Sequence, residues 1–219
     1  GDAGILSEDT ASVVGTRNPS SRGLASARRI VSELGSPVIS GGAVGIDAQA
    51  HKSAIEFGQK TAAFMAGGVD KAYPQANWEL FHEMVQAGGA LISEVAPGIA
   101  PSRFRFLQRN RLIAAASSAT YIVEAGYRSG TRNTANHARA LGREVFALAG
   151  PWSFAPARGA NAMIAEGLAK PYPRSHPVEP TMNQKRIQDA MRSGARYPDE
   201  IAAESGLSLA SVLEELKPA

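Results

Sequence analysis

A regular alternation of short β-rich runs with segments of helical apolar spacing most constrains what this chain can fold into. Residues 22–34 space their apolar side chains along one helical face, and Gly35 follows as a helix terminator. Repeated units of this kind are typical of a mostly parallel sheet with helices on both faces. The sequence therefore predicts an α/β protein with a Rossmann-like fold of about six strands. The predicted strands span 12–15, 37–40, 61–66, 90–94, 120–124 and 144–149, and the predicted helices span 22–34, 46–57, 77–87, 107–116, 131–141 and 161–167.

Composition narrows the class of protein. The chain has 219 residues, of which 44% are hydrophobic and none is cysteine. This length and apolar content suffice for a sizeable core, whereas the lack of cysteine excludes disulfide scaffolds, thiolate zinc sites, iron–sulfur clusters and a cysteine nucleophile. No apolar run approaches about 18 residues, and the N-terminus is acidic and polar. We therefore expect a soluble, cytoplasmic protein that has no membrane partner.

Four prolines within ten residues mark a domain boundary. They favour an extended connection and interrupt any continuous helix. The prolines are Pro171, Pro173, Pro177 and Pro180. The boundary divides the chain into three predicted parts: an α/β domain (1–170), a proline-rich linker (171–182) and a small all-α helix-turn-helix module (183–219).

The candidate recognition helix of this module is acidic. It carries Glu214 and Glu215, with Lys217 as its basic residue. A helix that reads the major groove needs cations and amides to face phosphates and bases. We therefore expect the module to dock onto a partner rather than to bind duplex DNA by sequence.

Basic residues concentrate in one stretch of a nearly neutral chain. The formal net charge is +3, yet residues 101–143 hold eight arginines against one acidic residue, Glu124. Such a cluster is typical of a face that binds an anionic partner. A GC-rich genome also enriches arginine, so the composition by itself leaves a neutral origin open.

Four loops follow predicted strands, where open α/β sheets bind ligands. The turn SGGAVGID at 40–47 has small residues that let backbone N–H groups face an anion near a helix N-terminus. A purely structural tight turn is the alternative, because the turn departs from G-x-G-x-x-G and no acidic residue ends the next strand. The other three loops span 15–23, 101–111 and 124–133.

The segment 101–111 interleaves Phe104 and Phe106 with four arginines. Cations for the backbone and aromatic platforms for unstacked bases are what a single-stranded nucleic acid requires. In the alternative interpretation, both phenylalanines face the core and the arginines are solvated.

Candidate catalytic groups are few. Glu94 and Glu124 both end predicted strands and can pair as acid and base, although a Glu in this position more often holds a loop or an arginine. Asp47 and His51 share a helix face, but no third ligand lies near them in sequence. We predict no metal site, no cofactor and no catalytic residue.

Six motifs occur in a fixed order over about residues 11–170. They read SGGAVGIDAQAH (40–51), GGVDKAYP (67–74), the pair LISE (91–94) with RNRLIAAAS (109–117), VEAGYRSGT (123–131), REVFALAGP (143–151) and RGANAMIAEG (158–167). In this order and spacing they resemble the DNA-processing protein A (DprA, Smf) family of bacteria.

The resemblance implies an extended Rossmann fold that binds single-stranded DNA, dimerises, and loads the recombinase RecA onto incoming DNA during natural transformation. Many members also carry a small winged-helix-like module, which residues 183–219 resemble. The DNA-binding positions that it implies are Arg17, Gly41, Gly42, Gly45, Arg103, Phe106, Arg109, Asn110 and Arg111. It also implies a dimer contact that includes Met163, Ile164 and Leu168.

The chain departs from the family pattern in three places. The stretch usually close to SGSL-x-TA is SGTRNTA here, which adds Arg132 as an expected phosphate contact, and the usual VPG is LAG at 148–150. The helical domain that precedes the α/β domain in the family has no counterpart here, so we expect a truncated or divergent member.

Two other functions stay open on the sequence. A Rossmann-like enzyme that processes nucleotides, such as a phosphoribohydrolase, would use Glu94 or Glu124, but its P-G-G-x-G-T-x-x-E signature does not occur. An interaction scaffold without nucleic acid would require the arginines to be solvated or paired within a dimer.

Overall fold

The computed structural model describes residues 1–71, 73–127, 129–151, 153–172, 182–195 and 197–216. The chain divides into two compact units, Gly1–Tyr172 and Pro173–Ala219. Of the predicted linker, residues 173–181 lie outside the described residues. In the described ranges, no helix is both long enough and apolar enough to cross a membrane.

The first unit is built on a sheet of seven parallel strands in the order β4-β3-β2-β1-β5-β6-β7. Every residue of β1 and β3 is buried, as expected for strands that helices cover on both faces. The predicted α/β, Rossmann-like fold is confirmed. The strands are β1 (Ala11–Val14), β2 (Val38–Ser40), β3 (Thr61–Phe64), β4 (Ala90–Ile92), β5 (Ala119–Ile122), β6 (Glu144–Ala147) and β7 (Lys170–Pro171).

Helices form a layer on each face of the sheet. They are α1 (Ser21–Leu34), α2 (Ile46–Glu56), α3 (Trp78–Gln86), α4 (Arg103–Ala115), α5 (Gly130–Ala140) and α6 (Arg158–Ala165). Successive residues of a strand point to opposite faces. Val13 therefore packs with α1 and α2, whereas Val14 belongs to the core cluster of α4, α5 and α6. The α3 helix packs beside α2 through Leu80, Phe81 and Met84.

The chain reverses its course across the sheet after β4. Strands β2, β3 and β4 follow β1 outward to one edge, and α4 then carries the chain back so that β5 pairs with β1 on its other side. A crevice forms where neighbouring parallel strands send their connections in opposite directions. The carboxyl ends of β1 and β5 are such a place.

The start of α4 and the number of strands differ from the sequence-based prediction. Helix α4 begins at Arg103 instead of 107, because Ser102 caps it and accepts a hydrogen bond from the Arg105 N–H at 3.4 Å. The basic, aromatic segment is therefore mostly helix rather than loop. The sheet also has a seventh strand, the two residues of β7, which is too short to show a periodic pattern.

Glu124, two residues beyond β5, is buried and holds the start of α1. Its carboxylate accepts hydrogen bonds from the N–H and the Oγ of Ser20 at 3.0 and 2.6 Å, and Ser20 Oγ accepts from the Gly23 N–H at 3.0 Å. A Cβ on Gly23 would lie 2.5 Å from the carboxyl carbon of Glu124, so only glycine fits there. Negative charge at this end of a helix is favourable because the first N–H groups have no partner within the helix.

The described part of the second unit holds three short helices, α7 (Met182–Ser193), α8 (Pro198–Ser205) and α9 (Leu209–Leu216). Ile187, Ala190, Ile201 and Val212 form its described core. Gly206 ends α8 with a φ of 64°, a left-handed conformation that glycine adopts without penalty, and the chain then turns into α9. The side chains of Glu214 and Glu215, and all of Lys217, lie outside the described residues.

The Ser20 cap gives a first test. Replacement of Ser20 by Ala removes a helix cap and one donor to a buried carboxylate, so we expect the free energy of unfolding to fall by about 1–2 kcal/mol in urea titrations. Ser21→Ala is the matched control, because Ser21 is the next residue and its side chain is exposed. Removal of the Ser21 hydroxyl should change the free energy of unfolding by less than about 0.5 kcal/mol. Equal changes in the two variants would contradict the capping role of Ser20.

Candidate nucleic-acid interface

A groove of about 760 Å³ lies at the carboxyl ends of β1 and β5. The turn after β1, the inner face of α4 and the start of α5 form its walls, with Ala43 and Asp47 from the glycine-rich turn after β2. The polar side chains along it belong to Thr16, Arg17, Asp47, Arg103, Arg109, Asn110, Ser129, Thr131, Asn133 and Thr134.

The turn that carries Arg17 is fixed through the backbone of Thr16. The Thr16 N–H donates to the carbonyl oxygen of Glu124 at 2.7 Å, and the Thr16 carbonyl oxygen accepts from the Ile46 N–H at 3.1 Å. A Cβ on Gly45, whose φ is 88°, would lie 2.5 Å from that same carbonyl oxygen. Gly45 therefore allows the start of α2 to pack directly on the backbone next to Arg17.

Helix α4 presents one face to the groove. Arg103, Phe106 and Asn110 follow one another at three- and four-residue spacing, which places them on the same side of the helix. Asn110 Nδ2 donates to the carbonyl oxygen of Gly130 and to Asn133 Oδ1, both at 3.2 Å, and so joins α4 to the start of α5.

The two phenylalanines of α4 have different surroundings. Phe104 is 67% exposed, whereas Phe106 is half-buried. The ring of Phe106 lies 5.0 Å from the guanidinium carbon of Arg17 and 5.8 Å from the ring centre of Tyr73. The structure thus excludes burial of both rings in the core and places a cation against the Phe106 ring.

Arg17 and Arg103 are the exposed cations of the groove. Among the described residues, neither has an acidic side chain within ion-pair distance. The groove therefore offers two guanidinium groups that an anionic ligand can reach without displacing an internal partner.

Arg109, by contrast, is only 5% exposed. Its Nη1 donates to the carbonyl oxygens of Gly41, at 2.6 Å, and of Phe64. A Cβ on Gly41 would lie 2.6 Å from Arg109 Nη2 and 2.7 Å from Asp47 Oδ2. Only glycine fits at position 41, because any side chain there would collide with Arg109 and Asp47.

Burial opposes both of these charges. Desolvation raises the pKa of Asp47, although the Arg109 charge and the N–H groups of the turn act in the other direction. Desolvation also lowers the pKa of Arg109 to about 10; the charge of Asp47 works against this shift and that of Arg17 adds to it. The two side chains compensate each other inside the protein.

His51 lies one helical turn after Asp47 on α2 and is fully buried. Its Nδ1 is 2.7 Å from Thr61 Oγ1, which itself donates to the Val38 carbonyl oxygen at 2.8 Å. Thr61 must therefore accept from His51, which assigns the proton to Nδ1. Desolvation and the charge of Arg109 lower the pKa of His51 to about 3, so the ring is neutral at physiological pH.

The remaining predicted glycine, Gly42, is buried and does not line the groove. Its φ is 66°, and its carbonyl oxygen accepts from Asn77 Nδ2 at 2.9 Å. Asn77 precedes α3, and its side chain makes no capping hydrogen bond to that helix. The amide instead holds the glycine-rich turn in place.

Two predicted arginines lie outside the groove lining. Arg111 forms an ion pair with Glu94, and Arg132 forms one with Glu166. All four side chains are partly exposed. These arginines lie on elements that border the groove but carry their own counterions.

The three residues of the predicted dimer contact differ in burial. Met163 is 1% exposed within the main core, and Ile164 and Leu168 are half-buried hydrophobic side chains at its margin. Of these three residues, Ile164 and Leu168 expose apolar surface that a second molecule can contact, and Met163 does not.

Glu94 and Glu124 do not form an acid pair. Glu94 follows β4 and Glu124 follows β5, which are separated by four strand spacings, or about 19 Å. Glu94 holds Arg111, and Glu124 holds Ser20. In the described residues, no group of three or more His, Asp or Glu side chains could hold a metal ion.

Ser129 and Asn133 line the groove although the sequence analysis did not single them out. The sequence predicts the loop at 124–133 as a binding loop without distinguishing its side chains, and the start of α5 at Gly130 determines which of them line the groove. Ser129 Oγ is buried and has no hydrogen-bond partner among the described residues. It is a donor that a ligand in the groove could use.

Known proteins resemble this chain over most of its length. The family profile described as DNA recombination-mediator protein A matches residues 1–181. A putative DNA processing protein DprA of Mycobacterium tuberculosis is 38% identical, with 94% of this chain aligned to 59% of that protein.

Two solved structures share the fold. DNA processing protein A of Streptococcus pneumoniae superimposes with a TM-score of 0.72 and 35% identity, over 78% of this chain and 60% of that one. The second is DNA processing protein A of Helicobacter pylori, whose structure was described for its single-stranded DNA binding mode. It superimposes with a TM-score of 0.72 and 27% identity, over 78% of this chain and 79% of that one. The chain spans about three fifths of the length of the M. tuberculosis and S. pneumoniae relatives.

The neutral His51 predicts a pH dependence of stability. Its folded pKa lies below that of the unfolded chain, so its contribution is complete above about pH 6.5 and is lost as the pH falls towards 3. Relative to His51→Asn, which keeps a donor near Nδ1 but does not titrate, the native protein should lose about 2 kcal/mol of unfolding free energy between pH 7.5 and 5. Urea titrations at the two pH values measure this difference. Parallel pH profiles would contradict the buried neutral state.

Proposed function

Because the chain belongs to the family of DNA recombination-mediator protein A, we propose that its groove binds single-stranded DNA and does no chemistry on it. The observation that carries this proposal is the guanidinium of Arg17 against the Phe106 ring, with Arg103 on the same groove and no acidic partner for either cation in the described residues. The H. pylori relative, described as binding single-stranded DNA, supports it.

The chemistry of the groove suits an unpaired strand. Phosphates attract Arg17 and Arg103 whatever the sequence, while an unstacked base can lie against the layer formed by the Arg17 guanidinium and the Phe106 ring. A duplex offers no free base faces to such a platform. Ser129 and Asn133 supply hydrogen-bonding groups for base edges or sugars.

Arg109 has a positioning role in this proposal rather than a phosphate contact. Its Nη1 is committed to two backbone carbonyls and its side chain is nearly inaccessible. It fixes the glycine-rich turn against which Arg17 is held. Gly41, Gly42 and Gly45 contribute by allowing that close packing.

Arg111 and Arg132 are secondary contacts. Each must exchange its glutamate for a phosphate, and exposed ion pairs are worth only about 0–1 kcal/mol, so the exchange costs little. They therefore extend the positive border of the groove once a strand is bound.

The wider function that fits this site is recombination mediation in the cytoplasm, with RecA as the protein partner that receives the bound strand. The family membership supports this assignment, and a mediator needs binding rather than catalysis. The wide separation of Glu94 and Glu124 favours binding over nucleotide hydrolysis, because neither carboxylate has the other as an acid–base partner.

Loss of the two exposed cations should weaken DNA binding. We expect the Arg17→Ala, Arg103→Ala double variant to bind an oligothymidylate of about 20 nucleotides roughly 100-fold more weakly, since each charge-assisted contact contributes about 1.5 kcal/mol. Its salt slope should be shallower by about 1.4, because two phosphates are no longer neutralised. Fluorescence anisotropy at several salt concentrations measures both quantities.

The matched control removes the same charge at the opposite edge of the sheet. Arg28 forms an ion pair with Glu56, the last residue of α2, and the length of α2 separates Glu56 from the groove by about 16 Å. Arg143 directly precedes β6, at the amino-terminal edge of the sheet. The Arg28→Ala, Arg143→Ala variant should bind as the native protein does. Equal losses in the two double variants would show that net charge, and not the groove, determines binding.

We further propose that the protein dimerises through Ile164 and Leu168, which are half-buried at the edge of the core. The variant Ile164→Glu should sediment as a monomer, because a charge cannot be buried unpaired at an apolar contact. Val85→Glu is the control, since Val85 is a partly exposed apolar residue on α3, in the opposite helix layer. A dimer that persists with Ile164→Glu would overturn the assignment.

A further inference from the structure

A second hollow of about 740 Å³ lies beside the start of α3. Its walls are formed by Lys71, Tyr73, Gln75, Trp78, Glu79 and Pro101, among others. The proposed groove function uses none of these side chains.

The two aromatic side chains of this hollow are unusually accessible. Tyr73 is 49% exposed and Trp78 is 48% exposed. Trp78 is the first residue of α3, and its indole contacts the ring of His82 edge-on with the centroids 4.5 Å apart. Large aromatic surfaces left in water within one concave site are typical of a binding platform rather than of core packing.

The hollow adjoins the groove through an aromatic contact. The rings of Tyr73 and Phe106 have their centres 5.8 Å apart, and Phe106 in turn lies 5.0 Å from the Arg17 guanidinium carbon. Pro101 lines the hollow two residues before Arg103, which lines the groove. The surface therefore runs from Arg17 across Phe106 to Tyr73 and Trp78.

We propose that this hollow is a second base-binding subsite, in which Tyr73 and Trp78 stack the bases of a strand that leaves the groove past Phe106. This inference rests on the proposed function, because the same strand occupies both sites. Stacking on aromatic rings accepts every base and is the usual way in which proteins hold an unpaired strand.

The charges of the hollow indicate that it takes bases rather than phosphates. The Asp70 carboxylate accepts the Gly98 N–H at 2.9 Å and thereby braces its own loop, and Glu79 repels phosphates from one side. Lys71 is exposed at the same hollow and offers the phosphate contact. The strand should pass with its phosphates towards Lys71 and its bases towards the rings.

Oligonucleotide length separates this subsite from the groove. An oligothymidylate of about 5 nucleotides fills the groove alone, whereas one of about 15 nucleotides also reaches the hollow. In Trp78→Ala, affinity for the longer strand should fall about tenfold, with a nearly unchanged salt slope, and affinity for the shorter strand should stay native. Trp78→Phe, which retains a ring, should restore most of the loss, and Phe57→Ala, an exposed aromatic residue at the end of α2, should have no effect.

Tryptophan fluorescence reports on the subsite directly. The sequence has two tryptophans, so in the Trp152→Phe protein Trp78 is the remaining emitter. The longer strand should quench its emission and the shorter strand should not.

The possible outcomes distinguish this inference from the function on which it rests. If the native protein binds neither strand, the proposed function fails, and the subsite fails with it. If both strands bind but the Trp78→Ala protein retains native affinity for the longer one, only the subsite is overturned. Quenching of Trp78 by an oligolysine peptide but not by the longer strand would also overturn it and would assign the acidic, aromatic hollow to a basic protein segment.

Discussion

A single buried guanidinium ties together the elements that surround the groove. Arg109 extends from α4, its Nη1 binds carbonyl oxygens at the ends of β2 and β3, and Asp47 from the first turn of α2 faces it across Gly41. A buried charge is tolerated only when such partners replace its hydration, and loss of one partner from a pair of this kind costs about 3–5 kcal/mol. The arrangement therefore joins α4, the end of β3 and the glycine-rich turn after β2, and the backbone next to Arg17 packs on that turn at Gly45.

The position on α4 decides what each arginine does. Rotation by about 100° per residue turns Arg103 into the groove, Arg109 into the core, and Arg111 towards Glu94 on the surface. One short basic run thus supplies an accessible cation, an internal support and a paired surface charge. The number of positive charges in residues 101–111 therefore does not show how many of them are accessible to a ligand.

The alternation of strands and helices was sufficient to predict the fold class, because buried parallel strands and amphipathic helices leave strong local patterns. The sequence also singled out segments that the structure brings together at one groove, since the carboxyl ends of parallel strands meet at one edge. It missed the true start of α4 because Ser102 caps the helix ahead of the first apolar residues, and it missed β7, whose two residues carry no pattern. It could not predict that Arg109 is buried whereas Arg17 is exposed, because that distinction depends on Gly41 and Asp47, which come from a distant part of the chain.

The carboxylate of Glu124 at the start of α1 distinguishes this sheet from nucleotide-binding proteins with the same architecture. In those proteins, the first helix after β1 offers its free N–H groups to a pyrophosphate. Here the Glu124 carboxylate already occupies that position and accepts hydrogen bonds from the N–H and the hydroxyl of Ser20. It lies so close to Gly23 that a larger residue would not fit there. The Ser20 N–H therefore already faces an internal carboxylate, and the exposed Arg17 lies three residues before Ser20 on the same loop. An anion that approaches this end of the sheet therefore meets the repulsion of the Glu124 carboxylate at the start of α1 and the attraction of the Arg17 guanidinium on the same loop.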